Sequence, residues 1–252
     1  MNFIIKYFNG FLRYKNWFSI LFKKIILKKP NNVKCRNGIV IYGPENSHTL
    51  GMVNDIFFNN IYNKFGFSIN ENDIVFDVGA NIGVFSVKAM KTKLKKLYII
   101  EPSTDNIKYI KNNLKVNNCI GDYMIINNPL TGKKETVFFE FNIENNEGNL
   151  VKKEQSVNSV KFESVTLKEI IENENLDKIN FLKIDCEGSE GNIISNLEED
   201  IFTKIDKIVM EYHDHVSELN HKEIENILKK NYFKVILEEI DGSPFGLIYA
   251  SK

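Results

Sequence analysis

The chain has 252 residues, of which 43% are apolar and 26% charged, and its 33 Lys and Arg balance its 33 Asp and Glu. This length supports one domain with its own core plus an extension. The charge balance argues against a generally basic nucleic-acid binder, and no apolar run approaches the roughly 18 residues of a membrane span. The three cysteines show no Cys-x-x-Cys or Cys/His spacing, which argues against a zinc site and favours a reducing, cytoplasmic location.

Residues 1–30 form a basic N-terminal segment, with seven Lys and Arg and no acid. Apolar residues within 3–27 recur at helical spacing and predict one helix whose apolar stripe comprises Ile4, Phe8, Phe11, Phe18, Phe22 and Ile25. This stripe could pack on the main domain or on a second copy of the chain. It could also lie in a membrane interface, at the cytoplasmic face. Because Lys29-Pro30 ends the segment, we expect an N-terminal segment of residues 1–36 and a main domain of residues 37–252.

The main domain alternates strand and helix patterns. Strands are expected at 38–43, 74–76, 97–100, 123–126, 181–184, 208–210, 232–237 and 247–250. Helices are expected from the glycine loop to residue 93 and at 103–117, 167–174, 189–198 and 221–230. This alternation predicts an α/β fold with a seven-stranded, mostly parallel sheet, and the short last connection allows only an antiparallel C-terminal hairpin. The polar stretch 142–158 is expected to be an exposed loop.

The stretch "VFDVGANIGVFS", residues 75–86, predicts a ligand-binding turn between a strand and a helix. Gly79 and Gly83 allow a tight turn and a close approach of backbone to ligand. The third glycine of the dinucleotide fingerprint is missing, and Asp77 would repel a phosphate. Asp77 instead suits a ligand with an amino group and a sulfonium, and Glu101 could accept hydrogen bonds from ribose hydroxyls. The alternative is a tight turn without a ligand.

Four segments resemble the FkbM-type methyltransferases: "FDVGANIGVFS", "IIEPSTDNIKYIKNNLKVNN", "NFLKIDCEGSEGNIISNL" and "IVMEYH". With the upstream "FFNNIYNKF", the likeness spans residues 55–215. It implies a class I methyltransferase (Rossmann-like) fold, S-adenosylmethionine as cofactor, and O-methylation of a glycan or small metabolite. The cofactor contacts that the resemblance implies are Asp77, Gly79, Asn81, Gly83, Glu101 and Asn127. Cys186 and Gly191 depart from the family pattern.

Acids and a histidine end the fourth and fifth predicted strands. Asp185 ends the fourth and is followed by Glu187, whereas Glu211 and His213 end the fifth. Because ligands bind beyond the carboxyl ends of parallel strands, these side chains should lie near the transferred methyl group. Methylation of a hydroxyl needs a base, for which Asp185, Glu187 and His213 are the candidates; we assign the role to Asp185 or His213, with Glu211 orienting it. The alternative is a surface histidine and a structural carboxylate.

The expected acceptor is a glycan or small molecule rather than nucleic acid. "NNPL", residues 127–130, follows the third strand, whereas amino-group methyltransferases carry a similar motif after the fourth. The body of the chain is also acidic, which disfavours nucleic acid. No metal site is predicted, although a divalent ion could bind Asp185, Glu211, His213, Asp214 and His215. Two further alternatives are a non-catalytic binding or assembly protein on this fold and a protein or RNA methyltransferase.

Overall fold

The computed structural model describes residues 10–140, 150–152 and 159–252. Its helices are α1 (Trp17–Ile25), α2 (Thr49–Val53), α3 (Val84–Ala89), α4 (Thr104–Val116), α5 (Leu167–Asn173), α6 (Glu190–Ser195), α7 (Glu199–Thr203) and α8 (His221–Lys230). Its strands are β1 (Asn32–Lys34), β2 (Val40–Tyr42), β3 (Ile74–Val78), β4 (Lys96–Ile100), β5 (Tyr123–Ile126), β6 (Thr136–Glu140), β7 (Leu150–Lys152), β8 (Ser159–Glu163), β9 (Phe181–Ile184), β10 (Lys207–His213), β11 (Lys234–Glu239) and β12 (Phe245–Ser251). A π-helical turn at Asn54–Phe58 and a 3-10 turn at Ile61–Asn63 follow α2.

Seven strands form the central sheet in the order β11-β12-β10-β9-β3-β4-β5. The five strands from β10 to β5 run parallel, and β12 is antiparallel to both β10 and β11. This confirms the predicted α/β fold with a mostly parallel sheet and a C-terminal hairpin. The chain leaves β3 towards β4 on one side and later returns to β9 on the other. The carboxyl ends of β3, β4 and β9 therefore border the crevice where such sheets bind ligands.

Both faces of the sheet are covered, which explains why the central strands read as continuous apolar runs. All residues of β3 and β9 are buried. Val75 packs in one core with α3 and α4, whereas Phe76 packs in the other with α5 and α6. Two of the helices that cover the sheet begin at side-chain caps: Ser103 accepts from the Asn106 N–H at α4, and a capping box of Thr166 and Glu169 starts α5.

The N-terminal segment differs from the single helix predicted over residues 3–27. Residues 3–9 lie outside the described residues; residues 10–13 are helical, and α1 begins only at Trp17. The helix stops because Tyr14 forms a β-bridge with Cys35, and because the Asn16 side chain hydrogen-bonds the Asn32 carbonyl and the Lys34 N–H. The expected boundary after residue 36 falls in the turn between the paired strands β1 and β2.

The apolar stripe is not the face that packs. Tyr14, Trp17 and Ile20 are buried against the main domain, whereas the predicted stripe residues Phe18, Phe22 and Ile25 are exposed. Packing of the stripe on the main domain is therefore wrong for the stripe residues of α1. None of the described helices combines the length and apolarity needed to cross a membrane.

A second sheet, with the order β7-β6-β8, follows β5 and was not predicted. Both of its strand pairings are antiparallel. Residues 150–152 of the expected loop form β7, and the rest of 142–158 lies outside the described residues. The sheet matters for the site because it brings the buried Phe139 of β6 to the crevice.

Candidate active site

The glycine loop after β3 passes directly against the end of β9. Gly79 has φ +71°, and a Cβ there would lie 1.8 Å from the carbonyl oxygen of Asp185. Only glycine fits both this conformation and this approach. Asn81, also left-handed at φ 52°, donates its N–H to Glu101 Oε2 at 2.8 Å. The loop thus ties the ends of β3, β4 and β9 together.

Glu101 follows β4 and is buried beside the loop. Its Oε1 accepts from the Ser103 N–H at 2.9 Å and from Asn106 Nδ2 at 3.3 Å. Burial raises the pKa of Glu101 to about 7, although the N–H groups of Ser103 and Asn81 act against the rise. A carboxylate oxygen has two lone pairs, so Oε2 keeps one position for a further donor.

A cavity, here the loop cavity, lies between the glycine loop, Glu101 and the second sheet. It is lined by Val78, Gly79, Asn81, Ile100, Glu101, Pro102, Asn106, Pro129, Leu130, Phe139, Asp185, Cys186, Glu187 and Ser189. Asn106 Oδ1 is buried without a hydrogen-bond partner among the described residues. Since buried acceptors are normally paired, this atom is suited to a ligand's donor. The apolar side chains of Leu130 and Phe139 offer a wall for a flat ring. The donor and acceptor set fits a nucleoside.

A second cavity, the tyrosine cavity, lies on the other side of the glycine loop. Its lining residues are Met52, Asp55, Ile56, Ile61, Tyr62, Gly79, Ala80, Asn81, Val84, Phe85, Lys183, Asp185 and Glu211. Gly79, Asn81 and Asp185 line both cavities. Ligands in the two cavities could therefore meet beside the Asp185 carboxylate.

Lys183 links the glycine loop to Asp185, where the two cavities meet. Its Nζ lies 3.2 Å from Asp77 Oδ1 and 3.6 Å from Asp185 Oδ2. It also donates to the carbonyls of Val78 and Gly79, at 3.2 and 2.8 Å. Burial by itself would lower the pKa of Lys183, but Asp77 and Asp185 outweigh it and hold the pKa above its ordinary value. The buried ammonium therefore keeps its charge and fixes the loop to β9.

Tyr62 orients Asp185 from the lead-in segment. Its hydroxyl donates to Asp185 Oδ2 at 3.2 Å, and its ring lies 5.7 Å from Lys183 Nζ. Burial, and then the charge of Asp185, raises the pKa of Tyr62 well above its ordinary value, so its proton stays on the hydroxyl. Glu211 of β10 lines the same cavity. Burial and the neighbouring charge of Asp185 raise its pKa to about 8.

Three of the six predicted cofactor residues line the loop cavity, namely Gly79, Asn81 and Glu101. The other three lie outside the linings of both cavities and support the loop. Asp77 is fully buried, where its Oδ2 accepts from Ser86 Oγ at 2.6 Å. Gly83 begins α3 and packs closely on Ile110 of α4. Asn127 donates to the carbonyls of Glu101 and Pro102, at 3.1 and 2.7 Å.

His213 lies between two glutamates at the end of β10. Its Nδ1 is 3.2 Å from Glu190 Oε1, and its Nε2 is 3.6 Å from Glu187 Oε2. Burial would lower the pKa of His213, but the hydrogen bond to Glu190 and the charges of Glu190, Asp185 and Glu187 raise it to about 9. Glu190 is itself buried and accepts from the N–H groups of Cys186 and Gly188. At neutral pH, His213 is therefore an imidazolium that braces the loop after β9.

The residues named for a divalent ion are only partly brought together. Asp185, Glu187 and His213 each place one ligand atom within 4.8 Å of the others. Asp214 instead pairs with His221 Nδ1 at 2.6 Å. The proton that the raised pKa keeps on His213 competes with a metal for the same nitrogen.

Sequence reasoning missed Tyr62, Lys183, Asn106, Leu130 and Phe139. Lys183 had a readable signal, because a charged residue inside an apolar strand needs a buried partner. Tyr62 lies in the segment "FFNNIYNKF", whose family resemblance was recognised, but no role was predicted for any of its residues. Phe139 had no readable signal in the sequence, because its position at the cavity depends on the second sheet.

Comparison with known proteins places the chain by fold and by sequence. In solved structures, the FkbM methyltransferase of Methylobacillus flagellatus KT matches 75% of this chain with 16% identity and a TM-score of 0.53. This chain spans only 46% of that protein. TrmK of M. capricolum, solved with S-adenosyl-homocysteine, matches 77% of this chain and 66% of its own, with 13% identity and a TM-score of 0.47. An rRNA methylase from Streptococcus thermophilus matches 73% of this chain and 89% of its own, with 11% identity and a TM-score of 0.44. No curated protein matched the sequence.

The family assignment rests on the sequence match. Residues 77–235, which include the glycine loop, Glu101, Asp185 and His213, match the methyltransferase FkbM domain. The Methylobacillus structure agrees in fold. The chain therefore belongs to the FkbM family of methyltransferases, whose methyl donor is S-adenosylmethionine.

Proposed function

We propose that the protein methylates a hydroxyl group of a glycan or small metabolite. The observation that carries this proposal is the junction of the loop cavity and the tyrosine cavity at Asp185. A cofactor in the first cavity and a hydroxyl in the second would meet beside a carboxylate. Positioning of this kind supplies much of the acceleration in a transfer reaction.

The loop cavity suits the nucleoside end of S-adenosylmethionine. Glu101 Oε2 and the unpaired Asn106 Oδ1 offer acceptors to the ribose hydroxyls. Leu130 and Phe139 offer an apolar wall to the adenine. When bound, S-adenosylmethionine supplies an electrophilic methyl group on a positively charged sulfur. The carboxylates of Asp185 and Glu187 favour that positive charge.

Asp185 is our choice for the base. As the acceptor oxygen would bond to the methyl carbon, the bond from that carbon to sulfur would break, S-adenosyl-homocysteine would leave, and the hydroxyl proton would pass to a base. Asp185 is the carboxylate that lines both cavities and also has the Tyr62 hydroxyl aimed at it. A positioned base contributes about 10²–10⁴-fold. His213, already protonated at neutral pH, is a positioning residue through Glu187 and Glu190. Glu211, with a pKa of about 8, holds a proton near neutral pH and is therefore not the base; it can help to orient the acceptor by a hydrogen bond.

The acids of the tyrosine cavity support a hydroxyl-rich acceptor. Asp55, Asp185 and Glu211 line it. Carboxylates accept readily from sugar or alcohol hydroxyls, whereas a phosphate backbone would be repelled. RNA methylation is therefore the less favoured alternative.

The test is transfer of labelled methyl from S-adenosylmethionine into fractionated glycans and metabolites of the host. We expect label in a hydroxyl-bearing fraction, and about a 100-fold or greater loss of rate in Asp185→Asn. Asp105→Asn is a matched control because Asp105 is exposed on α4, away from both cavities, and pairs with the nearby, exposed Lys108. Label confined to RNA or protein would overturn the proposed acceptor. Absence of S-adenosylmethionine binding by calorimetry would favour a non-catalytic binding protein.

A further inference from the structure

We propose that α1 is a docking surface for an anionic lipid bilayer. The surface consists of Phe18, Phe22, Ile25, Ile26 and Leu27, and the same basic segment also exposes Lys15, Lys24 and Lys28. This inference does not rest on the proposed methyl transfer, because it concerns a different part of the molecule and a different readout.

The helix is held firmly by its opposite face. Trp17 and Ile20 are buried in the same core as the central sheet, and Tyr14 stacks on Trp17 with ring centroids 6.3 Å apart. The Tyr14 hydroxyl donates to Asn54 Oδ1 at 2.7 Å. With one face anchored, the orientation of the other face is fixed.

The outward face is apolar and contiguous along the helix. Phe18, Phe22 and Ile25 stand at i, i+4 and i+7 and are 74%, 62% and 69% exposed. Ile26 and Leu27 extend the patch at the end of the helix, and Leu27 is 94% exposed. Single exposed apolar side chains are ordinary, but a contiguous patch marks an interaction surface.

The charge around the patch selects the occupant. Lys15, Lys24 and Lys28 are exposed in the same segment, and the first acidic residue of the chain is Glu45. Aromatic and aliphatic residues flanked by lysines, without acids, match the interface of a bilayer with anionic headgroups. A second copy of the chain would bring two such basic segments together. The aliphatic side chains of Ile25, Ile26 and Leu27 would contribute little to the binding of nucleic acid.

The docking surface is linked to the tyrosine cavity through one residue. Asn54 Oδ1 accepts from Arg13 Nη1 at 3.0 Å as well as from Tyr14. Its neighbours Met52, Asp55 and Ile56 line the tyrosine cavity. If the proposed function holds, docking would place this cavity near acceptors carried on lipid.

The experiment is flotation of the full chain with vesicles of equal parts phosphatidylcholine and phosphatidylglycerol, and with phosphatidylcholine alone. We expect binding to the anionic vesicles that weakens in high salt, and a loss of about tenfold or more for Phe18→Ser/Phe22→Ser/Ile25→Ser. Lys15→Gln/Lys24→Gln/Lys28→Gln should lose preference for the anionic vesicles. The matched control Ile120→Ser/Tyr232→Ser/Ile240→Ser removes three exposed apolar side chains elsewhere and should bind like the wild type.

Five results would overturn the inference. If the wild-type protein does not float, or if the serine triple variant floats equally well, the α1 face does not bind lipid. A dimer in light scattering that the triple variant abolishes, without vesicle binding, assigns the face to a second copy. A lower melting temperature of the triple variant without vesicle binding assigns it to the chain's own residues. Binding of RNA in place of vesicles assigns it to nucleic acid. Failure of methyl transfer would leave vesicle binding intact.

Discussion

The Cα hydrogens of Gly79 point at the carbonyl oxygen of Asp185, where an added Cβ would stand 1.8 Å away. The glycine loop therefore packs directly against the backbone of Asp185, so that a shift of either one requires a shift of the other. Gly79 also has φ +71°, so two separate constraints demand glycine at this position.

Gly79→Ala should lower turnover far more than the backbone strain of the substitution alone would predict. The clash would push the end of β9 away, and a misplacement of about 1 Å can cost about 100-fold in turnover. Gly242→Ala is the matched control, since Gly242 has φ +72° and nothing within 4 Å of the added Cβ. Gly242→Ala should lower the free energy of unfolding by only about 1–2 kcal/mol. Equal S-adenosylmethionine affinity and turnover in the two variants would contradict the close contact.

Lys183→Met should strongly destabilise the fold. It leaves Asp77 charged and buried without its ion pair, which costs about 3–5 kcal/mol in comparable buried pairs. Lys178→Met is the control, because Lys178 pairs with Asp206 at a similar distance but is 54% exposed. It should cost about 0–1 kcal/mol. Urea unfolding of both variants measures the difference, and similar losses would mean that the Lys183 pair is not structural.

The sheet was predictable because most of its strands are short, continuous apolar runs in the sequence. The strands at 123–126 and 181–184 match their predicted bounds, since both are short apolar runs between polar turns. The prediction that the N-terminal stripe packs was wrong because the spacing of apolar residues alone does not show which face of a helix contacts the domain. The break at Tyr14–Asn16 depends on contacts with β1, and these bury Trp17 and Ile20 instead of Phe18 and Phe22.

The candidate site was predictable where a motif carries the chemistry. Glu101 and Asp185 follow strands whose ends meet, so their proximity follows from the parallel sheet. Phe139 and Tyr62 come from segments outside the strand-end pattern, and only tertiary packing brings them to the cavities. Asp77 shows a different relation between motif and structure. Its motif suggested ligand contact, but full burial beside Lys183 makes it a support of the loop.

Cofactor affinity should rise with pH through about 7, the pKa of Glu101 in the free protein. Ribose hydroxyls donate hydrogen bonds and therefore prefer the carboxylate. Calorimetry at about pH 6 and about pH 8 should differ by roughly tenfold in affinity. Glu101→Gln should bind more weakly and without this dependence. A wild-type affinity that stays flat over this range would contradict the ribose role.

The same group makes a prediction for stability, with the opposite trend. The pKa of Glu101 is raised on folding from 4.5 to about 7, so the folded state holds its proton more tightly. The resulting stabilisation is present below about pH 4.5 and is lost as the pH rises through about 7. Relative to Glu101→Gln, the wild type should lose about 3 kcal/mol of unfolding free energy across this window. Parallel pH profiles would show that Glu101 titrates normally.

EDTA should leave turnover unchanged. Both ring nitrogens of His213 face carboxylates, and the raised pKa keeps a proton where a metal would have to bind. Proton release would be needed before His213 could join Asp185 and Glu187 as a ligand. Loss of turnover in EDTA, with recovery on adding magnesium, would instead assign these three residues to a divalent ion.

His213 should behave as a brace and not as the base. The pKa of its imidazole is raised on folding from 6.5 to about 9, so its stabilising contribution is present below about pH 6.5 and is lost as the pH rises through about 9. Compared with His213→Gln, the wild type should lose about 3 kcal/mol of unfolding free energy over that window. His213→Gln should keep measurable turnover at pH values near neutral, whereas Asp185→Asn should not. A rate that rises through about pH 6.5 in the wild type and vanishes in His213→Gln would return the role of base to the histidine, because only a neutral imidazole can take the hydroxyl proton.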